Sequence, residues 1–219
     1  MSIDRLASTV AASQRQQQLH VHQHKLRQCR RCPDMQRPVI TGQAVLSPIL
    51  LIGQAPGIHE AEVQKPFGWT AGKTLFSWFA TLGMDEDSFR ERVYMSAVCR
   101  CFPGKQVNRQ GKTGGDRVPT TQEIAHCAPW LQAEIDLLQP QLLIPVGKLA
   151  ISQFLSVNKL DEVIGQSHRI ERHGHAVDVS PLPHPSGAST WHRMEPGKTL
   201  LAQALQCIAA HPAWQSIQP

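Results

Sequence analysis

The sequence predicts an α/β protein of three layers, α/β/α, with a central four-stranded parallel sheet. Three observations carry that expectation. Short apolar runs ending in glycine or proline alternate along the chain with stretches of helical spacing, the order that builds a parallel sheet covered on both faces. The apolar runs, "LIPVG" among them, are strand-sized and far short of a membrane span. A length of 219 residues suits one α/β domain, or one domain with a small appendage, and is ample for a core.

The elements follow in order. Residues 4–28 read as a polar, Gln-rich helix, so residues 1–28 form an N-terminal helical segment and residues 29–219 a single domain. "SPILLIGQAPG" is a buried strand followed by a loop. "TAGKTLFSWFATLGM" places Leu75, Phe76, Phe79 and Leu82 at helical spacing, with Gly83 as the stop. "RVYMSAVCRC" is a second strand, rich in β-branched and aromatic residues. Residues 103–119 are turn-formers and bases and are expected to be a loop. "TTQEIAHCAPWLQAEIDLLQP" opens on a capping signal, Thr120 or Thr121 followed by Glu123, and is helical. "QLLIPVG" is a third strand and "KLAISQFL" a helix. "HRIERHGHAVDVSPLP" reads as a hairpin feeding a fourth strand, and "GKTLLAQALQCIAAH" as a closing helix.

Bulk composition narrows the class. The formal charge of +5 favours polyanions only mildly. The N-terminus lacks the continuous apolar segment of a signal peptide, so a cytoplasmic location is expected. In that compartment six cysteines are not expected to form disulfides. No membrane association is expected, and the chain is expected to be a monomer.

Several motifs carry chemistry. In open parallel sheets ligands bind outside the carboxyl ends of the strands. Both "GQAPGIHE" (53–60) and "HPSG" (184–187) fall at such ends, which favours a functional His184 over a core one. The first loop frees backbone N–H groups and permits close approach of a ligand, yet it lacks the spacing of a P-loop. "KPFGWTAGKT" sets Phe67 and Trp69 among glycines, where an aromatic face can stack on a flat ligand or form a lid over the core. Cys29, Cys32, Cys101 and Cys127 come from three segments and make Cys₄ ligation plausible, with zinc and iron–sulfur equally compatible on count. Cys99 competes with Cys101, since two residues apart on a strand they point to one side. Cys99 and Cys207 read as small buried hydrophobes. Arg100, Lys105, Arg109, Lys112 and Arg117 stand against a single acid, Asp116. They are either a solvated loop or a phosphate-contacting arm, to which Arg193 downstream adds a further candidate.

Taken together, "CRRC", "GQAPGIHEAEVQKPFGWTAG", "VYMSAVCRCFPGK", "HCAPWL" and "HPS", in this order, resemble the family 4 iron–sulfur uracil-DNA glycosylases, from about Cys29 to the final helix. The resemblance implies a [4Fe–4S] cluster on Cys29, Cys32, Cys101 and Cys127. Cys101 is chosen over Cys99 because the family's cysteine is followed by one residue and then proline, as in "CFP". It also implies that Phe67 stacks on a flipped base and that Gln54, the Ala55 backbone and Gly57 line the base site. Glu60 would be the carboxylate near the attacking water, and His184 the donor to the departing base. Two departures stand out: the family usually has glutamate at Gln54 and asparagine at Ala97, the latter reading the uracil edge. The implied activity is therefore hydrolysis of the N-glycosidic bond of uracil or a related deaminated base in DNA by a monofunctional glycosylase. The alternatives are a weak or inactive nucleic-acid-binding iron–sulfur protein of the same fold, and a redox-responsive protein whose cluster does the work.

Overall fold

The computed structural model describes residues 3–172 and 174–219; Met1 and Ser2 of the N-terminal segment and His173 of the predicted hairpin lie outside the described residues. The strands are β1 (Ile49–Gly53), β2 (Tyr94–Ala97), β3 (Lys105–Val107), β4 (Thr113–Asp116), β5 (Leu142–Pro145), β6 (His168–Arg172) and β7 (His175–Val179). The helices are α1 (Ile3–Arg27), α2 (Glu60–Val63), α3 (Thr70–Ala80), α4 (Glu86–Arg92), α5 (Thr121–Leu138), α6 (Lys148–Ile151), α7 (Gly197–Ala210) and α8 (Pro212–Gln215).

The central sheet is mixed, with five strands in the order β2-β1-β5-β7-β6. Its four parallel strands are those expected; the fifth corrects the all-parallel expectation. The hairpin's first arm, β6, pairs antiparallel with β7 from His168↔Val179 to Arg172↔His175, and so becomes part of the sheet instead of a mere lead-in. Arg169 and Glu171 are exposed on this edge, and charged edge residues oppose pairing with another sheet.

Alternate residues of the parallel strands face two separate cores. Ile49, Leu51, Met95, Leu142 and Ile144 pack with α3, α4, α7 and α8, where Phe79 lies 4.3 Å from Phe89 and 5.5 Å from Trp214, ring centre to ring centre. Leu50, Ile52, Tyr94 and Leu143 pack with Leu19 of α1 and with Leu131 and Ile135 of α5. Each fully buried side chain of this size contributes on the order of 1.5–3 kcal/mol. This two-sided burial is why the strands read as continuous apolar runs. Helix α5 begins with a full capping box, Thr120 with Glu123.

Three segments differ from the expectation. The stretch 103–119 is not a plain loop but carries the β3–β4 hairpin, paired Lys105↔Asp116 and Val107↔Thr113. Asn108 Oδ1 accepts from the N–H groups of Gln110 and Lys112, so a side-chain turn forms the hairpin without an apolar face. Strand β2 ends at Ala97, before Cys99 and Cys101, so strand alternation does not govern those cysteines. Helix α6 stops at Ile151 instead of running to Leu155. No helix among the described residues is long and apolar enough to cross a membrane.

Candidate active site

The loop after β1, the β3–β4 hairpin and the segment beyond β7 converge on one cleft of about 660 Å³. Its wall includes Gln54, Gly57, Glu60, Phe67, His184 and, from the hairpin, Lys105 and Asp116. A narrow inner pocket of about 30 Å³ opens from it, walled by Gly53, Gln54, Ala55, Phe67, Ala97 and His184. That is room for about two waters. The Phe67 ring packs over Gly53 in its wall, where a Cβ would lie 2.9 Å from Phe67 Cζ.

The Phe67 loop is held from behind. Phe67 has φ of +51°, a left-handed conformation uncommon outside glycine. Gly72 of α3 lies so close that a Cβ there would come 1.7 Å from Phe67 O. Buried Arg90 of α4 donates to Pro66 O at 3.0 Å and to Phe67 O at 3.2 Å, lies 4.6 Å over the Phe76 ring, and is itself held by Glu86 at 2.9 Å. Glu60 opens α2 and accepts a bond from Gly57 N. Burial pushes its carboxyl above the ordinary carboxylate range, against backbone donors at Gly57, Phe67 and Gly68, and the Asp116 charge pushes the same way.

His184 is placed by the sheet. After β7, Leu182 bridges to Val146, and Gly147 N donates to Leu182 O at 2.9 Å. The imidazole lies against Gly147, whose φ is +85° and on which a Cβ would come 3.0 Å from His184 Cδ2; glycine is required on both counts. Ser186 N donates to His184 Nδ1 at 3.2 Å. A ring nitrogen that accepts carries no proton, so the neutral ring holds its proton on Nε2. Burial pushes the His184 pKa below its ordinary value, partly opposed by the Asp116 charge. His184 is thus a neutral Nε2–H donor in the wall of the cleft.

On the far side of the sheet, Cys29, Cys32, Cys101 and Cys127 line one cavity of about 220 Å³; Cys99 is not in its wall. Burial, then the neighbouring Cys127 and Cys29, push the Cys32 thiol up to about 12, and burial with Cys127 pushes Cys101 to about 11. A hydrogen bond from Cys99, then the Arg100 N–H and charge, lower Cys127 against the effect of burial and leave Cys99 raised. Cys99 is fully buried and Cys207 is half-buried. Among the described residues no three His, Cys, Asp or Glu side chains converge as ligands of one metal ion do; four thiols on one zinc would each lie about 2.3 Å from a common point.

The basic residues of 100–117 do not all share one surface. Arg100 is buried at 2% exposure, 2.5 Å from the wholly buried Glu134, and is not available to a phosphate. Burial alone would push Glu134 up, but Arg100, with bonds from His22 and Ser96, outweighs it and holds the carboxyl at about 2. Tyr94 completes the set by donating to Glu134 at 2.9 Å. Arg117 is likewise committed, to Glu123 at 2.7 and 2.5 Å, and Lys105 to Asp116 at 2.6 Å. Arg109 and Lys112, near the hairpin tip, and Arg193, on a separate 3₁₀ turn, are exposed.

The sequence profile of the uracil DNA glycosylase superfamily matches residues 40–208. The chain belongs to this superfamily. The matched span takes in the whole cleft together with Cys101 and Cys127, and begins after Cys29 and Cys32. Among curated members, the chain is 29% identical over 144 residues to the type-4 uracil-DNA glycosylase of Archaeoglobus fulgidus, covering 63% of this chain and 65% of that protein, just under two thirds of its length. It is 27% identical over 175 residues to the type-4 enzyme of Thermotoga maritima, covering 78% and 83%. A type-5 uracil-DNA glycosylase of Thermus thermophilus is 29% identical over 119 residues, 49% of each chain.

Two residues that shape the cleft, Arg90 and Asp116, carry no chemical motif in the sequence. Arg90 sits in a segment without a chemical motif; its only signal is the i,i+4 pairing of Glu86 with Arg90 in "EDSFRER". Asp116 reads as the odd acid of a basic loop, and only the hairpin's fold brings it to Gly57 and Glu60. Ser96, next to Ala97, also borders the inner pocket, but its hydroxyl is committed to Glu134 at 2.7 Å.

Proposed function

We propose that this chain is a monofunctional DNA glycosylase that hydrolyses the N-glycosidic bond of uracil or a related deaminated base in DNA. The observation that carries the reading is His184, a neutral Nε2–H donor in the same wall as Glu60 and Phe67. Breaking the bond leaves negative charge on the departing base, and a fixed N–H donor stabilises it as an oxyanion hole does. Glu60 would orient and deprotonate the attacking water and favour the positive charge on the sugar; burial raises its pKa, which makes it a stronger base than an exposed carboxylate. A base inside a duplex is out of reach and must be flipped, and Phe67 offers it an aromatic face. Ala97 has no amide and Ser96 is committed to Glu134, which supports a pocket that reads the pyrimidine edge loosely. The glycosylase names of the relatives support the same reaction class.

The four cysteines around one cavity support a [4Fe–4S] cluster on Cys29, Cys32, Cys101 and Cys127, as in the family the chain resembles. Such a cluster would cross-link the end of α1, the segment after β2 and helix α5; no step at the base uses it.

The test is incubation of the pure protein with an end-labelled uracil-containing single strand, followed by alkali. Strand breaks that appear only after alkali are expected. Tight binding with no alkali-labile sites, for uracil and for other deaminated bases, would instead favour a nucleic-acid-binding protein that has lost catalysis, the reading to which Gln54 and Ala97 point.

A further inference from the structure

The β3–β4 hairpin has no core: every residue of both strands is exposed. An isolated ribbon of that kind is marginal in water, yet its foot is anchored. Arg117 N donates to Gly104 O at 2.9 Å, Arg117 grips Glu123, and Gln36 and Phe102 exchange backbone bonds at 2.7 and 3.0 Å. The anchored end, not the tip, borders the cleft and carries Asp116. Asp116 Oδ2 lies 3.3 Å from where a Cβ on Gly57 would sit, and Glu60 Oε2 lies 3.3 Å from the same point. The two carboxylates are therefore no further apart than twice that distance. Lys105 Nζ meets the other oxygen, Asp116 Oδ1, at 2.6 Å.

We propose that Asp116 is a positioning residue of the active site, a second carboxylate that acts through Glu60 to keep it an effective base, with Lys105 setting how much of its charge Glu60 feels. The inference rests on the glycosylase reading of the cleft. Two like charges this close disfavour each other's ionised forms, and a carboxylate so pressed takes a proton from water more readily. The other groups facing Glu60 do not supply this effect. Burial pushes the His184 pKa down, which disfavours a charge there, and Gln54 carries no charge. Arg117, at the hairpin foot, is held by Glu123. His59 and Glu62, beside Glu60 in the chain, pair with each other at 3.7 Å in a more exposed position.

Two substitutions separate this role from a structural one, because they act in opposite directions. Asp116→Asn removes a like charge from Glu60 and leaves Lys105 unpaired. The acid limb of the single-turnover rate against pH should move to lower pH by about 0.5 unit or more, what two charges about 6 Å apart exert even through water, and the plateau rate should fall. Lys105→Gln bares Asp116 and should move the limb to higher pH. The same opposite displacements should appear, without any substrate, in the titration of the Glu60 carboxyl by ¹³C NMR, assigned by its absence in Glu60→Gln. Displacements of one sign, or none, in folded variants would overturn the proposal. Opposite displacements in the titration together with no base excision by the wild type would leave the coupling standing and overturn the glycosylase reading.

Discussion

Replacing Arg100 by leucine should unfold the protein far more easily and barely touch its electrostatic hold on DNA. Arg100 and Glu134 are both removed from water, at 2% and 0% exposure. Without the guanidinium, Glu134 keeps only Tyr94, Ser96 and the longer approach of His22 at 3.5 Å. Removing one partner of a buried pair costs about 3–5 kcal/mol, a large part of the roughly 5–15 kcal/mol that holds a domain together. The urea midpoint should fall by about 1–2 M. Arg100→Leu with Glu134→Leu should recover most of the loss, because no buried charge is left alone. The pH dependence offers a second check. The Glu134 carboxyl is held at about 2, below its ordinary 4.5, so its contribution is complete above pH 4.5 and drains away as pH falls toward 2. That portion of the acid destabilisation should be absent in Arg100→Leu. A stability change under about 1 kcal/mol, together with a salt dependence of DNA binding flattened by about one unit, would refute the reasoning and put Arg100 on a phosphate.

Other outcomes follow from the same geometry. Gly72→Ala puts a methyl group into the backbone of Phe67 and should cost about 1–3 kcal/mol while slowing excision, whereas Ala71→Gly, one residue away, should leave the Phe67 loop in place; equal rates in both would show that the loop is not held from α3. Neutralising Arg109 and Lys112 together should flatten the salt dependence of DNA binding by up to about two units, which titrations at several salt concentrations would detect. Cys101→Ala should lose iron on anaerobic purification and Cys99→Ala should retain most of it, read by metal analysis and absorbance; the reverse pattern would exchange their roles.

What the sequence revealed, and what it did not, follows from the range of the interactions. The parallel strands were legible because burial on both faces makes them continuously apolar, and the start of α5 because Thr120 and Glu123 cap it locally. Gln54, Glu60, Phe67 and His184 share the cleft because the sheet's topology carries their loops to one end. The β3–β4 hairpin was not legible: in Thr113-Gly-Gly-Asp the glycines and the aspartate disfavour a strand, and what forms it is the Asn108 side-chain turn and the anchor from Arg117 to Glu123. Arg100 looked like a surface base because its partner, Glu134, is 34 residues away on another element. Asp116 and Arg90 act on the site only through contacts that no local pattern encodes.

The most direct test of the account is the single-turnover rate of base excision by His184→Ala beside that of the wild type, with DNA affinity measured in parallel. If the neutral Nε2–H of His184 meets the charge that develops on the departing base, its interaction strengthens mainly in the transition state. The rate should then fall on the order of 100- to 1000-fold with affinity nearly unchanged. A His184→Ala protein that excises at the wild-type rate would contradict the account and return His184 to a structural place at the end of the sheet.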